Sequence, residues 1–194
     1  MTDNRKSISE RKIFGFNKNI FNLGLVSFFT DISSEMIYPI IPIFLSSVLG
    51  VNKSVIGLIE GIAEGAGSVL RVFSGWVSDK LKKRKEIVVA GYILSTITKP
   101  FLAVSNSALA VLFVRIFDRT GKALRNPPRD AMLAGYTEKA ERGRAFGLQR
   151  AMDDAGAVAG PFLCFVLLYA LNSNYRMIFL LSFIPAAIAC LVLV

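Results

Sequence analysis

Several charged residues of this 194-residue chain lie inside apolar stretches, where burying a charge is costly and usually serves a function. Asp31 and Glu35 are four positions apart in the first stretch. In the second, Glu60, Glu64 and Arg71 fall within roughly 40° of one another on a helix that turns about 100° per residue, so they share one face. The carboxylates could carry protons or bind a cationic substrate.

A fourth apolar stretch holds the densest group of charges. Arg115, Asp118, Arg119, Lys122 and Arg125 occupy a helical face about 120° wide, and the opposite face is apolar. We expect Arg115 and Arg119 to tune the neighbouring carboxylates or to bind an anion. An amphipathic helix lying on the membrane surface is the alternative interpretation of this pattern.

The depth of these charges also indicates a function. At about 1.5 Å per residue, Asp31, Glu64, Arg119 and the adjacent Asp153 and Asp154 all come near the middle of a bilayer. Secondary transporters hold substrates and coupling ions at this depth. Structural ion pairs that only hold the helices together remain an alternative for each residue taken singly.

The residue types exclude several other functions. The sequence has no histidine, so a histidine-based triad is excluded and any proton carrier must be a carboxylate. Cys164 and Cys190 lack the spacing of a disulfide framework or a zinc site, and no P-loop, HExxH or GxSxG motif occurs. We therefore expect no enzyme, no metal and no cofactor.

The elements that would position these charges are membrane helices. The chain is 53% hydrophobic with a mean hydropathy of +0.52, which is typical of a protein in lipid. A hydrocarbon core of roughly 30 Å requires about 20 helical residues. Six apolar runs fit this length and predict an all-α, polytopic membrane protein: 20–49, 54–77, 87–104, 109–132, 145–171 and 176–194.

The distribution of charge predicts the orientation. Of the net charge of +9, most is concentrated in the N-terminal segment 1–19, in the DKLKKRK segment at 79–85 and in the segment 125–144. Basic segments remain on the cytoplasmic side, so we expect a cytoplasmic N-terminus in a plasma (inner) membrane. Because spans separate the basic segments, a nucleic-acid-binding surface is not expected. The sequence stops at residue 194 within an apolar run, from which we expect a further segment to follow.

One connecting segment resembles a family signature. GWVSDKLKKRK at 75–85 is similar to the pattern G-x-x-x-D-[RK]-x-G-[RK]-R-[RK] of the major facilitator superfamily, between its second and third spans. Lys82 stands where the family usually has its second glycine. The resemblance implies that Asp79 forms part of a gate, by pairing with cations or with a helix N-terminus of a facing half. The matching residues are Gly75, Asp79, Lys80, Lys83, Arg84 and Lys85.

The fourth and fifth spans add to this resemblance. RIFDRTGKA at 115–123 is similar to R-x-x-Q-G-x-G-x-A, which implies that Arg115 tunes a proton-carrying carboxylate, although Asp118 and Arg119 depart from the pattern. The fifth span resembles G-x8-G-x3-G-P, a pattern associated with antiporters of the superfamily, although Cys164 and Phe165 replace its closing glycines. We expect a bendable helix there. The residues of this antiporter-like pattern are Gly147, Gly156, Gly160 and Pro161.

Two prolines interrupt the fourth span. Pro127 and Pro128 are expected to end or kink the helix where it reaches the cytoplasm. Arg125 and Arg129, which flank them, could contact an anionic substrate or a lipid phosphate, or could simply anchor the span by the positive-inside rule.

Together these features predict the N-terminal, six-span half (residues 20–194) of a major facilitator transporter. The resemblance implies proton-coupled transport of a small solute, by export in the antiporter interpretation, between this half and a missing C-terminal six-span half. Three alternatives stay open: an inert fragment, a half-size subunit that pairs with a second half, and a membrane receptor that only binds its solute. The residues do not choose among cationic drugs, organic anions, sugars and metal chelates.

Overall fold

The computed structural model describes the backbone of residues 12–13 and 15–193, and the side chains of 15–193. Most of the predicted N-terminal segment 1–19 and the last residue of the predicted sixth span therefore lie outside the described residues. In the described part of that segment, strand β1 (Lys12–Ile13) pairs antiparallel with β2 (Phe16–Asn17), and Gly15 lies between them at a φ of +82°. The all-α prediction did not include this hairpin.

The remaining secondary structure is helical. The α-helices are α1 (Lys18–Ile37), α2 (Ile41–Ser47), α3 (Lys53–Leu81), α4 (Arg84–Val104), α5 (Ala108–Gly135), α6 (Arg142–Ala170), α7 (Tyr175–Leu181) and α8 (Phe183–Leu193). Short 3₁₀ helices, Tyr38–Ile40 and Lys139–Glu141, lead into α2 and α6.

Each predicted apolar run corresponds to a long helical segment. The first run is divided into α1 and α2 around Pro39 and Pro42, and the sixth is divided at Ser182, three residues before Pro185. The short connections carry helix caps. Asn52, Ser107 and Asn174 accept backbone hydrogen bonds at the starts of α3, α5 and α7.

Four of the described helical segments are long and apolar enough to cross a membrane: Lys18–Ser47, Arg84–Val104, Lys139–Ala170 and Tyr175–Leu193. Helices α3 and α5 are longer than 25 residues but are not among the four. The count of six membrane spans is therefore not confirmed by length and composition. These two helices carry much of the charge identified in the sequence.

The expectation that Pro127 and Pro128 end the fourth span is wrong. Helix α5 continues through both prolines to Gly135. Pro128 cannot donate to the carbonyl of Leu124, four residues earlier. The Ser74 hydroxyl of α3 donates to that carbonyl at 2.8 Å, and a Cβ at Gly75 would lie 3.6 Å from Pro127. The neighbouring helix thus satisfies the backbone group that the proline leaves free.

The helices pack in two groups that share α4. Helix α1 contacts α6 and α8, α5 contacts α3 and α4, and α4 also contacts α7 and α8. The largest apolar cluster lies at the end of the bundle formed by α2 and α7, where the Phe44 ring packs edge-on against Phe179 at 5.2 Å between centroids. Large apolar side chains also cover the outside, including Trp76 (63% exposed), Phe165 (71%) and Tyr169 (87%). An outer surface of this kind suits contact with lipid.

Glycines allow two helix pairs to approach closely. A Cβ at Gly121 of α5 would lie 2.7 Å from the Gly91 carbonyl oxygen of α4. A Cβ at Gly156 of α6 would lie 2.7 Å from the Phe28 carbonyl oxygen of α1, and one at Gly160 would lie 2.9 Å from the Glu35 Cβ. Gly147, the first glycine of the antiporter-like pattern, has no such neighbour. Helix α3 carries a second series of glycines at four-residue spacing, Gly57, Gly61 and Gly65. A Cβ at any of these positions would also have no described residue within 4 Å.

Replacing Gly156 by alanine should destabilise the bundle by roughly 1–3 kcal/mol, because α1 and α6 must move apart to admit the new methyl group. Thermal unfolding in detergent measures the effect. Gly147→Ala is the matched control, since it adds the same methyl group to the same helix in open space. Equal melting temperatures for the two variants would contradict the close packing of α6 on α1.

Candidate functional site

The charged face of α5 points into the bundle, where it contacts α3 and α4. Arg115 is buried and donates from Nε and Nη2 to the two carboxylate oxygens of Glu60 on α3, at 3.0 and 2.5 Å. Glu60 itself is partly open, with 25% of its side chain exposed. This two-pronged ion pair brings two of the predicted site residues together and leaves the carboxylate accessible from one side.

Asp118 connects this pair to α4. Its Oδ2 lies 3.7 Å from Arg115 Nη1, and its Oδ1 lies 3.3 Å from Lys99 Nζ. The Ser95 hydroxyl donates to the same Oδ1 at 2.7 Å, and the Thr98 hydroxyl lies 3.5 Å from it. Lys99, Asp118, Arg115 and Glu60 therefore form a continuous charge row across three helices, with two positive and two negative groups.

Lys99 was not identified from the sequence as a site residue. In the structure Lys99 is 2% exposed and lies well inside α4. A signal was available, since Lys99 falls inside the predicted span 87–104. Which charge it faces could not be read from the sequence, because that depends on the rotation of α4 against α5.

One helical turn further along α5, Arg119 Nε lies 2.9 Å from the Glu64 carboxylate of α3. Glu64 is more than half exposed. The Tyr38 ring, at the break between α1 and α2, lies 5.6 Å from the guanidinium carbons of both Arg115 and Arg119. The exposed Tyr38 ring thus lies close to two cations, so an apolar group and charged groups are adjacent on this surface of the bundle.

A second polar layer lies toward the other end of α5. Arg129 donates to the Ser27 hydroxyl of α1 at 2.7 Å and pairs with Asp130 at 3.0 Å. Gln149 of α6 donates to the same hydroxyl at 2.5 Å and to Asp153 at 3.0 Å. This layer includes the predicted Asp153, but Ser27 and Gln149 were not identified from the sequence, because uncharged polar residues give no signal by type alone.

Asp31 and Glu35 line α1 beside α6. Their Cβ atoms lie 3.0 and 2.9 Å from the positions that a Cβ would take at Gly156 and Gly160. Among the described residues neither carboxylate has a cation within 4 Å. The positive charges that act most strongly on Asp31 are Lys122 and Arg125 of α5. Asp31 therefore faces the charged side of α5, but at a distance greater than that of a direct ion pair.

Two predicted site residues are not brought into these clusters. Arg71 is exposed on α3, and Asp154 is 60% exposed and pairs with Arg150 on its own helix at 3.2 Å. The side chains of Asp153 and Asp154 thus point in different directions, because neighbouring residues of a helix are rotated by about 100°. Only Asp153 faces the bundle.

The gate-like motif lies at the turn between α3 and α4. Asp79 is 65% exposed and pairs with Arg84 at 2.8 Å, while Lys83 pairs with Glu86 at 3.2 Å. Lys82, which replaces the family's glycine, adopts the left-handed conformation at φ +53°. The turn is therefore as tight as a glycine would make it. Lys80 lies over the Trp76 ring at 4.9 Å.

The arrangement can hold charged side chains inside a membrane because most of them are paired, and three of its carboxylates, Glu60, Glu64 and Asp153, are partly exposed. Across the described residues no group of three acidic or cysteine side chains is spaced to hold a metal ion. The chemistry available to this face is proton binding and the recognition of a charged solute.

Comparisons with known proteins indicate a family for this chain. A family model described as Major Facilitator Superfamily matches residues 23–194. An MFS-type transporter of Methanocaldococcus jannaschii, named as uncharacterized, is 40% identical over 166 residues, which cover 86% of this chain and 41% of that protein. The multidrug resistance protein MdtH of Photorhabdus laumondii subsp. laumondii is 30% identical over 128 residues, covering 66% of the chain and 32% of that protein.

The fold is also similar to that of a solved transporter. A crystal structure of a mutant of peptide transporter POT in complex with sulfate matches with a TM-score of 0.81 at 20% sequence identity. The match covers 95% of this chain and 38% of the transporter chain. This chain thus spans at most 41% of the length of the three proteins compared.

Replacing Lys99 by methionine should destabilise the protein by about 3–5 kcal/mol, because the buried Asp118 carboxylate loses its nearest cation. Chemical denaturation in detergent, followed by circular dichroism, measures the change. The double variant Lys99→Met with Asp118→Leu should recover most of the lost stability, since it removes both charges. A single variant as stable as the wild type would show that the pair does not contribute to the fold.

Proposed function

Because the chain belongs to the Major Facilitator Superfamily, we propose that it forms the N-terminal six-span half (residues 20–194) of a secondary transporter that moves a small solute by alternating access. A multi-pass membrane protein with a transporter fold is shown by the family match and the apolar helices. A second six-span half, a cytoplasmic segment 1–19 and an inner-membrane location belong to the proposal.

Six spans require α3 and α5 to cross the membrane despite their charges. The distribution of exposure supports this. On α5 the charged residues Arg115 and Asp118 are buried, while Phe113 and Phe117 are more than half exposed. On α3, Val72 is 76% exposed. A helix such as α5, which directs its charges inward and its apolar side chains outward, is suited to lipid, and the surface-helix alternative would require the reverse.

The observation that carries the proposal is the charge row that ends at Glu60. A carboxylate that is one-quarter exposed and paired with a buried arginine can take up a proton from an open cavity and release Arg115 from its partner. Arg115 would then interact more strongly with Asp118, 3.7 Å away on the same helix. Protonation at one helix is thus communicated to α4 and α5, as proton coupling requires.

The proposed direction of transport, export, is inferred from the antiporter-like pattern of α6 and from a relative. The antiporter-like glycine pattern of α6 is in close contact with α1 at Gly156 and Gly160, and the multidrug resistance relative is consistent with an exported solute. We therefore propose proton-coupled export. The basic turn between α3 and α4 and the basic segment between α5 and α6 place the N-terminus in the cytoplasm in this proposal.

Replacing Glu60 by glutamine should abolish solute accumulation driven by a pH gradient while solute exchange without a gradient continues, because glutamine cannot carry the proton. The assay uses the complete protein in proteoliposomes with a panel of solutes. Glu86→Gln is the control, since Glu86 is an exposed carboxylate paired with Lys83 outside the charge row. Gradient-driven accumulation at the wild-type rate in Glu60→Gln would contradict the proton-coupling role.

Replacing Asp79 by asparagine should abolish transport without preventing membrane insertion. Its contact within this half is an exposed pair with Arg84, which contributes only about 0–1 kcal/mol, so the effect would arise from the facing half. Vesicle transport and the amount of inserted protein are both measured.

Arg84→Gln separates the two roles of Asp79. This variant removes the same exposed pair but leaves the aspartate, so most of the transport should remain. Full transport by Asp79→Asn would contradict the gate, and equal loss in both variants would indicate that the local pair alone matters.

A further inference from the structure

Arg125 of α5 is a buried cation without an acceptor. Its side chain is 3% exposed, and its Nε and Nη1 atoms are fully enclosed without a hydrogen-bond partner. Within the described part of the chain no acidic side chain comes within ion-pair distance of it. Leaving charged donors unsatisfied in a protein interior costs more than leaving a neutral donor, so a missing acceptor is expected here.

The surroundings of Arg125 contain further groups that could bind an anion. Its guanidinium stacks on the Tyr92 ring at 4.2 Å, and the Tyr92 hydroxyl is also buried without a partner. Lys122 lies three residues earlier, on the same face of α5, and has no ion pair among the described residues. The Arg125 guanidinium and the Tyr92 hydroxyl therefore lack an acceptor in the same region of the bundle, and Lys122 adds a second cation beside them.

Close helix packing holds Arg125 in place. A Cβ at Gly91 would lie 2.9 Å from the Arg125 Cβ, so the side chain leaves α5 directly against α4. The stacked ring restricts the guanidinium further. A guanidinium fixed in this way recognises a planar or tetrahedral group with several oxygens better than a mobile lysine could.

We propose that Lys122, Arg125 and Tyr92 form a binding site for the oxyanion group of the transported solute, that is, a carboxylate or phosphate. This inference rests on the proposed transport function and names the solute class that this site would recognise. Two internal anions compete for these cations: Asp118, which acts most strongly on Lys122, and Asp31, on which Lys122 and Arg125 act most strongly. A bound oxyanion and the Asp31 carboxylate would share the same positive charges, so the removal of one should strengthen the interaction of the other.

Anion binding can be measured directly on the complete protein in detergent, by isothermal calorimetry with phosphate and benzoate at constant ionic strength. Binding should be saturable, weakened about tenfold or more by Arg125→Gln and Lys122→Gln, and tightened by Asp31→Asn. Arg71→Gln is the matched control, because it removes an exposed cation of α3 outside these clusters and should leave the affinity unchanged. If Arg125→Gln does not fold, the Lys122 and Asp31 variants decide the result.

The two probes distinguish a free inorganic anion from the anionic group of an organic solute. Tighter binding of benzoate than of phosphate indicates an organic carboxylate, and the opposite order indicates an inorganic or phosphorylated solute. Absence of saturable binding, or affinities that none of these variants changes, would overturn the proposal. Gradient-driven transport of cationic or neutral solutes by a protein that binds neither probe would leave the transport function intact and remove only the oxyanion site.

Discussion

The buried carboxylate of Asp118 is the interaction on which the arrangement of three helices depends. It accepts a hydrogen bond from Ser95, lies next to Lys99 on α4 and is close to Arg115, which in turn holds Glu60 of α3. None of these groups could be buried alone at this depth, because an unpaired ion in a bilayer costs at least a few kcal/mol. The close approach of Gly91 and Gly121 brings α4 and α5 near enough for the pairing.

This constraint suggests how the half-bundle would behave during a transport cycle. Helices α3, α4 and α5 are joined by ion pairs, and moving one of these helices away from the others would separate buried charges from their partners. The apolar cluster around Phe44 and Phe179 packs the end of the bundle formed by α2 and α7. The proposed alternating access is therefore more easily achieved by movement of this half as a unit than by displacement of one helix within it.

The sequence predicted the helical segments and the charged face of α5 because hydropathy and helical periodicity are local properties. Glu60 with Arg115 and Glu64 with Arg119 could be assigned to inward faces on the same basis. The partner of Lys99 could not, since it depends on how α4 is rotated against α5. Arg71 and Asp154 were grouped with the site by spacing or adjacency, but Arg71 is exposed and Asp154 pairs with Arg150 on its own helix. The continuation of α5 beyond its prolines depends on Ser74 of another helix, which no local pattern reveals.

The left-handed backbone of Lys82 has a consequence for how the chain enters a bilayer. A side chain in this conformation costs about 1–2 kcal/mol, which a glycine would avoid. A lysine near an anionic leaflet gains about 1 kcal/mol from the lipid charge. The two effects are similar in size. In the proposed orientation, a lysine here would give up some backbone stability and help to retain the α3 to α4 turn on the cytoplasmic side while the helices insert, before any of the buried ion pairs has formed.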